Sequence, residues 1–290
     1  MTLRRDRPDV TFIPSHVLPV ALGLPSVVTI HDVGHRRERA GYSAPAWWYL
    51  ELTTRYAVRR ATHLIAVSRS TADDLQRFYK AAAERMTVIH SGVDPRMRPQ
   101  TGARIAEVLA RLGVDQPYFL FVGRNHPRKN LAMLRRAFSA ARRRGLLASL
   151  VLAGPDHAAG LTEDHILALP YVADDELPAL YAGAVALLLP SRFEGFGFPA
   201  LEAMGCGAPV IASTAGSLPE IVDGAGILLS PDDEAGWTRA MLATADDTIE
   251  RQRLVEAGAA RQSSFTWESA ARQTWDVLDR AAGQRRATDS

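Results

Sequence analysis

The sequence predicts an α/β protein made of two domains, each with a parallel β-sheet covered by helices. Short apolar runs of strand length alternate with helix-length amphipathic segments along most of the 290 residues. This alternation is the pattern of parallel sheets with helices on both faces. It is interrupted once, in the Pro- and Arg-containing residues 95–102, which are typical of a linker. We therefore predict domains over residues 1–97 and 98–264, followed by a terminal helix in residues 265–290.

The first block contains four candidate strands and two candidate helices. Its strands are short runs rich in apolar and β-branched residues. These runs are residues 9–13, 26–30, 63–67 and 87–90. A helix is predicted over residues 46–60, and Ser70 is expected to cap a second helix that begins at Thr71.

The second block begins with a helix over residues 105–112 and then repeats the alternation. Its predicted strands are residues 118–122, 149–153, 166–172, 184–189, 209–213 and 226–229. Its later helices are residues 131–144, 174–182, 199–205, 251–261 and 267–282, with one more capped by Ser230 or Asp232. Parallel sheets of this kind bind ligands beyond the carboxyl ends of their strands, so the loops there are the candidate sites.

The strongest functional signal follows the strand that ends at Leu189. Seven residues separate Glu194 from Glu202, with a glycine loop and the start of a short helix between them. Helix N-terminal amides attract an anion, and glycine allows a phosphate to approach the backbone. Glu202, one turn into the helix, can accept hydrogen bonds from the vicinal hydroxyls of a ribose, while Glu194 faces the group that the phosphate carries. A capped helix with solvated glutamates explains either acid alone, but both acids around this loop favour a ligand site.

This segment, Glu-Gly-Phe-Gly-Phe-Pro-Ala-Leu-Glu from Glu194 and Ala-Met-Gly-Cys-Gly-Ala-Pro-Val-Ile-Ala-Ser after Glu202, resembles the Glu-x7-Glu signature of retaining glycosyltransferases of family 4. The resemblance implies a GT-B fold of two Rossmann-like domains, with a terminal helix that returns toward the first domain. It implies transfer of a hexose, mannose- or glucose-type, from a nucleotide diphosphate sugar to a hydroxyl acceptor in glycan or glycolipid synthesis. The loop residues expected at the nucleotide are Gly195, Phe196, Gly197 and Phe198.

A basic loop, residues 123–130, lies between the strand at 118–122 and the next helix. Its match to the family's phosphate loop implies that Gly123, Arg124 and Lys129 meet the donor diphosphate. Two fixed cations can stabilise a departing diphosphate without a metal. Lys129 is also one of only two lysines in the chain, the other being Lys80. The alternative is a solvated basic loop, and Arg128 is expected in solvent.

His31 follows a strand of the first block, where a histidine of the family faces the donor sugar. A hydrogen-bonded loop residue is the equal alternative. The sequence has no His-Glu-x-x-His pattern, so we predict no metal and no cofactor beyond the donor substrate. A nicotinamide-dependent dehydrogenase is disfavoured because no early strand is followed by Gly-x-Gly-x-x-Gly.

Composition limits the other partners. A formal charge of +2 does not suit a dedicated nucleic-acid binder, and the single cysteine, Cys206, excludes an internal disulfide. No apolar run is long enough to span a membrane, so we predict a cytoplasmic protein. The aromatic residues 47–49, with arginines downstream, suit either a membrane-surface helix or burial against the sheet, and burial is favoured.

The chain departs from the family in two places. Its first domain is shorter than a family member requires, and residues 154–166 are abbreviated near the expected nucleobase pocket. Three explanations stay open: a fragment of a longer enzyme, one half of a split enzyme completed by a partner chain or oligomer, or a non-catalytic subunit that binds nucleotide sugar.

Overall fold

The structure is a computed structural model that describes residues 8–19, 24–157 and 165–288, with side chains to residue 283. Contacts divide the chain into two units, Met1–Gly92 with Phe265–Ser290, and Val93–Ser264. The predicted break after residue 97 falls inside the second unit. Met97 is buried, and its carbonyl oxygen lies so close to Gly205 that an added Cβ there would be 2.5 Å away.

The described residues of the first unit form one parallel sheet with helices. Its strands are β1 (Thr11–Ile13), β2 (Ser26–Ile30), β3 (His63–Ala66) and β4 (Met86–Val88). Its helices are α1 (Gly34–Arg37), α2 (Ala44–Arg60) and α3 (Arg69–Tyr79), and short 3-10 turns cover Arg39–Gly41 and Ala83–Arg85. The strands lie in the order β1-β2-β3-β4, and each neighbouring pair is parallel.

Both faces of this sheet are buried, as expected for a parallel sheet. Val28 and Leu64 point into one apolar cluster with helices α2 and α3. Val27 and Ile65 point to the opposite face, because successive strand residues alternate in direction. That second face is covered by the terminal helix, Trp267–Thr288, through residues such as Val277. The terminal helix therefore belongs to the core of the first unit.

The second unit has the larger described sheet. Its strands are β5 (Tyr118–Val122), β6 (Ser149–Ala153), β7 (Ile166–Leu169), β8 (Ala186–Leu189), β9 (Val210–Ser213) and β10 (Ile227–Leu229). Its helices are α4 (Gly102–Leu112), α5 (Leu131–Arg143), α6 (Leu177–Ala182), α7 (Phe198–Gly205), α8 (Leu218–Val222), α9 (Glu234–Asp246) and α10 (Thr248–Gln262), and the terminal helix of the first unit is α11. A 3-10 turn, Pro127–Lys129, precedes α5.

The strand order of this sheet is β10-β9-β8-β5-β6-β7, and every pairing is parallel. The chain runs outward from β5 to β7 on one side and from β8 to β10 on the other. The order therefore reverses between β5 and β8, and a crevice forms at such a switch point, beyond the carboxyl ends of the strands. The predicted class, α/β with two parallel-sheet units, is confirmed.

Several element bounds differ from the predictions. The strand predicted over residues 166–172 ends at Leu169. Helix α3 begins two residues earlier than predicted, because Ser68, not Ser70, accepts a hydrogen bond from the Thr71 amide, at 3.0 Å. Helix α9 is capped by Asp233, not Ser230 or Asp232, through the Gly236 amide at 2.9 Å. The predicted abbreviation near the nucleobase pocket falls largely on residues 158–164, which lie outside the described part of the chain.

Leu134 of α5 is fully buried in the apolar cluster of the second unit, whereas Leu147 is 83% exposed. We expect Leu134→Ala to lower the free energy of unfolding by about 2 to 5 kcal/mol, since it leaves a cavity among packed side chains. The matched control Leu147→Ala should change it by less than about 0.5 kcal/mol. Urea unfolding of both variants measures the difference, and equal losses would contradict the assigned core.

Candidate active site

The loops after β5, β8 and β9 meet at the carboxyl edge of the second sheet. The loop after β8, residues 190–197, is held by the loop after β9. The Ser217 hydroxyl donates to the backbone oxygens of Glu194 at 3.1 Å and Phe196 at 2.7 Å. Gly216, with φ of +60°, lies so close that an added Cβ would be 2.4 Å from the Glu194 carbonyl oxygen. A side chain at this position would therefore displace the loop that carries Glu194.

A buried ion pair joins the first two of these loops. Lys129 Nζ donates to Glu194 Oε1 at 2.6 Å, and both side chains are more than nine-tenths buried. The Ser191 hydroxyl donates to the same carboxylate oxygen at 2.6 Å. The structure therefore brings together Lys129 and Glu194, which the sequence places 65 residues apart.

Arg128 also binds this carboxylate. Its Nη1 atom donates to Glu194 Oε2 at 2.8 Å and to the Phe193 carbonyl oxygen at 3.1 Å. The expectation that Arg128 lies in solvent is therefore wrong, because the 3-10 turn Pro127–Lys129 directs both of its basic side chains toward the loop after β8.

The charge state of Glu194 follows from these contacts. Burial by itself raises the pKa of a carboxyl group, but Lys129 and Arg128 outweigh it and hold the pKa of Glu194 below its ordinary value of 4.5. Glu194 is thus an ionised hydrogen-bond acceptor at neutral pH.

Gly123 and Arg124 lie on the same basic loop but differ in their surroundings. A Cβ added to Gly123 would be 3.6 Å from Lys129 Nζ, so the ammonium group lies against this backbone. Arg124 is 66% exposed and its Nε atom is 3.2 Å from Asp156 Oδ2. An exposed pair of this kind contributes little stability, so Arg124 can exchange Asp156 for another anion.

Helix α7 begins where the sequence predicts an anion-binding terminus. Its N-cap is Gly197, with φ of +99°, and no side chain caps the first amides. Gly195 and Phe196 are buried, and Phe198 is partly exposed with its ring centroid 4.9 Å from that of Phe196. Pro199 has no N–H and the Ala200 N–H donates to the Gly197 carbonyl oxygen at 3.0 Å, so the amides near Gly197 and Phe198 are the candidate donors to an anion at this terminus.

Glu202, one turn into α7, has a different environment from Glu194. The Tyr181 hydroxyl donates to its Oε2 atom at 2.8 Å. Burial raises the pKa of Glu202, the tyrosine hydrogen bond opposes that rise, and the charges of Asp94 and Asp174 add to it. The two acids of the motif therefore have pKa values displaced in opposite directions.

His31 lies in the first unit, at the end of β2. Its Nε2 atom is 2.8 Å from the Pro14 carbonyl oxygen, and its ring lines a cavity of about 390 Å³. The cavity walls are mainly apolar and include Phe12 of β1 with Trp267 and Trp275 of α11. No contact assigns His31 to a sugar, so its role stays a prediction.

Known protein families match both halves of the sequence. The family model "Glycosyltransferase Family 4" matches residues 1–96, and "Glycosyl transferases group 1" matches residues 116–247. The O-antigen chain mannosyltransferase B of Escherichia coli is 30% identical over 280 residues, covering 90% of this chain and 71% of the relative. The chain belongs to glycosyltransferase family 4.

Other similar proteins agree with this assignment of the glycosyltransferase family. The D-inositol 3-phosphate glycosyltransferase of Salinispora tropica is 34% identical over 79% of this chain. The chain spans only 53% of that relative's length. Anabaena HepE, solved with UDP and glucose, superposes with a TM-score of 0.76 at 23% identity over 89% of this chain and 72% of HepE. WaaG superposes with a TM-score of 0.76 at 16% identity, covering 96% of this chain and 80% of WaaG.

These comparisons confirm three predictions, namely the family, the GT-B fold and the hexosyltransferase class. They test no individual site residue. Within residues 8–19, 24–157 and 165–288, no three His, Cys, Asp or Glu side chains gather as a metal site would need. None of the described helices of the glycosyltransferase has the length and apolar composition needed to span a bilayer.

The aromatic segment on α2 divides between interior and surface. Trp47 is buried and its Nε1 atom donates to the His35 carbonyl oxygen at 2.8 Å, as favoured from the sequence. Trp48 and Tyr49 are exposed instead, because neighbouring helix residues point in different directions.

Sequence reasoning missed three side chains that hold the motif acids: Arg128, Ser191 and Tyr181. Ser191 had a usable signal, since it lies three residues before Glu194 at the end of a strand. Tyr181 had none, because its partner is 21 residues away on another helix.

The opposite pKa displacements predict opposite pH effects on stability. The lowered pKa of Glu194 gives stability that is present above the unfolded value of 4.5 and lost as pH falls through the folded value. The raised pKa of Glu202 gives the reverse, a loss of stability as pH rises from 4.5 through the folded value. Urea unfolding of wild type, Glu194→Gln and Glu202→Gln from pH 3 to 8 should show differences from wild type that change with pH in opposite directions. Parallel pH trends would contradict the two environments.

Proposed function

We propose that the second unit binds a nucleoside diphosphate sugar at the switch point between β5 and β8, and that the protein transfers the hexose with retention and without a metal. The observation that carries this proposal is the buried Lys129–Glu194 pair in that crevice, next to the uncapped start of α7. The pair would supply a cation for phosphate and a carboxylate for sugar hydroxyls, and the backbone amides near Gly197 and Phe198 would meet a second phosphate at the same sheet edge.

The diphosphate would meet Lys129 and Arg124, with the distal phosphate on the amides near Gly197 and Phe198. Lys129 is fixed by its buried pair, whereas Arg124 would leave the exposed Asp156 to reach the ligand. Fixed cations stabilise the charge that develops as the diphosphate departs, in a site partly shielded from water.

Glu194 would bind a hydroxyl of the donor hexose. A nucleophilic role suits it poorly, because three side-chain donors, from Lys129, Arg128 and Ser191, already occupy its two oxygens. Retention rests on the family resemblance. In the front-face route that it implies, the anomeric carbon–phosphate oxygen bond breaks, the acceptor oxygen bonds the same face, and the acceptor proton passes to the leaving phosphate. His31 is proposed, by the same resemblance, to orient the sugar.

Glu202 would bind the ribose hydroxyls through the carboxylate that Tyr181 already contacts. The relatives support the donor class: one is named a mannosyltransferase, and HepE has been solved with UDP-glucose. Mannose- and glucose-type donors are therefore the first to test, with the base left open.

We propose the cavity of the first unit as the acceptor site. Small-molecule sites are concave and mainly apolar, with a few polar groups that fix orientation. Here Trp267, Trp275 and Phe12 supply the apolar wall, and His31 and Thr274 supply polar groups. This composition suits an acceptor with an apolar portion, such as a lipid-linked sugar, and peripheral membrane contact would follow from such an acceptor.

A second candidate function is a nucleotide-sugar-binding subunit that acts with a partner chain. One observation favours it: β1 lies at an edge of the described sheet, and Phe12 on that strand is 41% exposed. This candidate would be favoured if the chain alone binds the donor without transferring or hydrolysing it, and if transfer appears when a partner chain is added.

The donor site is tested by titrating ADP, GDP and UDP into the protein by calorimetry and assaying the matching glucose and mannose donors. We expect Glu202→Ala to weaken nucleotide binding roughly tenfold or more, since a charged hydrogen-bond partner is lost. Lys129→Ala should lower turnover roughly a hundredfold. The control Arg136→Ala removes an exposed pair with Glu234 and should change neither value. Unchanged binding by Glu202→Ala together with unchanged turnover by Lys129→Ala would refute the donor site.

The acceptor site is tested with octyl α-mannoside as the probe. Trp275→Ala should weaken binding of the probe roughly tenfold, since it removes a ring from the cavity wall, and should leave nucleotide binding unchanged. Trp48→Ala removes a similarly exposed ring from α2, outside the cavity lining, and serves as the control. Equal affinity of the two variants for the probe would contradict the proposal that the acceptor binds in this cavity.

A further inference from the structure

Tyr181 is a fully buried residue of α6 whose hydroxyl points at one acid of the motif. It donates to Glu202 Oε2 at 2.8 Å, and the two residues lie on adjacent helices, α6 and α7. Phenylalanine would fill the same apolar space, so packing alone does not require the hydroxyl. A buried hydroxyl needs a partner, and here the partner is a carboxylate proposed to bind the ligand.

The hydrogen bond from Tyr181 matters because the other surroundings of Glu202 disfavour its ionised form. Burial disfavours its ionised form, and the negative charges of Asp94 and Asp174 disfavour it further. The Tyr181 hydrogen bond is the opposing influence, since it stabilises the carboxylate and so lowers its pKa. Cys206, the other titratable group affected by Glu202, is a neutral thiol because burial raises its pKa to about 12.

The hydrogen bond also fixes the orientation of the carboxylate. One Glu202 oxygen accepts from Tyr181, and an ionised carboxylate has about four acceptor positions in all. The remaining positions are available to the two hydroxyls of a ribose. A Glu side chain without this anchor would have to lose its rotamer freedom when the nucleotide binds.

We propose that Tyr181 is a positioning residue for nucleotide recognition, which through its hydrogen bond holds the Glu202 carboxylate oriented for the ribose hydroxyls. This inference rests on the proposed role of Glu202 and adds to it a residue that acts through Glu202. Tyr181 itself touches no ligand in this role.

The test is Tyr181→Phe, with calorimetric titration of GDP, UDP and ADP and of their 2′,3′-dideoxy analogues. We expect the variant to bind the ribonucleotides roughly tenfold more weakly, because a hydrogen bond to a charged group is lost. It should bind the dideoxy analogues as wild type does, because these lack the hydroxyls that Glu202 would accept from. A loss of equal size for both kinds of nucleotide would overturn the inference in favour of a general packing defect.

The pH dependence provides a second readout. Removing a group that lowers the pKa of Glu202 raises that pKa, so the variant should need a higher pH to reach half of its maximal ribonucleotide affinity. A purely structural role would lower the affinity without moving this midpoint. An unmoved midpoint would therefore overturn the inference even if affinity fell.

Tyr118→Phe is the matched control. Tyr118 is equally buried, and its hydroxyl donates at 2.6 Å to the carbonyl oxygen of Leu180, next to Tyr181 on the same helix. The Tyr118→Phe variant should keep the preference for ribonucleotides and the pH midpoint of the wild type.

The Glu202→Ala variant separates the Tyr181 inference from the proposed ribose-binding role of Glu202. If Glu202→Ala abolishes the preference for ribonucleotides and Tyr181→Phe does not change it, only the Tyr181 inference fails. If Glu202→Ala leaves the preference intact, the ribose assignment fails with it.

Discussion

The buried pair between Lys129 and Glu194 is the constraint on which the candidate site depends. It joins the loops that leave β5 and β8, the two strands at which the sheet order reverses. Removing two charges from water is costly, and such a pair is often no more stabilising than apolar residues of similar volume. Its location at the candidate site, where the sheet order reverses, is thus better explained by the fixed cation and the ionised hydrogen-bond acceptor that it provides than by stability.

The two acids of the motif show how environment separates chemically identical groups. Glu194 is surrounded by donors, two of them cationic, so its carboxylate is ionised and already largely occupied. Glu202 has one neutral donor and nearby negative charge, so its ionised form is held less firmly and keeps unused acceptor positions. A hydroxyl-rich ligand gains more from the arrangement at Glu202, which leaves acceptor positions for its hydroxyls. The arrangement at Glu194 suits a hydrogen-bond acceptor whose position must not change.

Local pattern was enough for much of the fold and not for the site's supporting contacts. Continuous apolar runs located β5 and β6 correctly, because central parallel strands are buried on both faces. The helix predicted to begin at Pro199 begins one residue earlier, at Phe198, because proline fits anywhere in the first turn, where its missing N–H is not needed. Cap positions failed where several serines or aspartates competed, as at Ser68. Arg128 and Tyr181 were not predictable, because their partners are distant in sequence and are set only by how the elements pack.

The site also divides into a fixed part and an adjustable part, and this division suits phosphate binding. Glu194 and Lys129 are fixed by their buried ion pair, and Ser217 also holds the loop that carries Glu194. Arg124, on the same loop as Lys129, is exposed and pairs with the exposed Asp156. In the proposed function, a diphosphate would dock on the preorganised groups first and recruit Arg124 afterwards at little cost, because the Arg124–Asp156 pair that it breaks is already screened by water. In the proposed function, the fixed groups would determine where the diphosphate lies, and the exposed arginine would add charge once the ligand has bound.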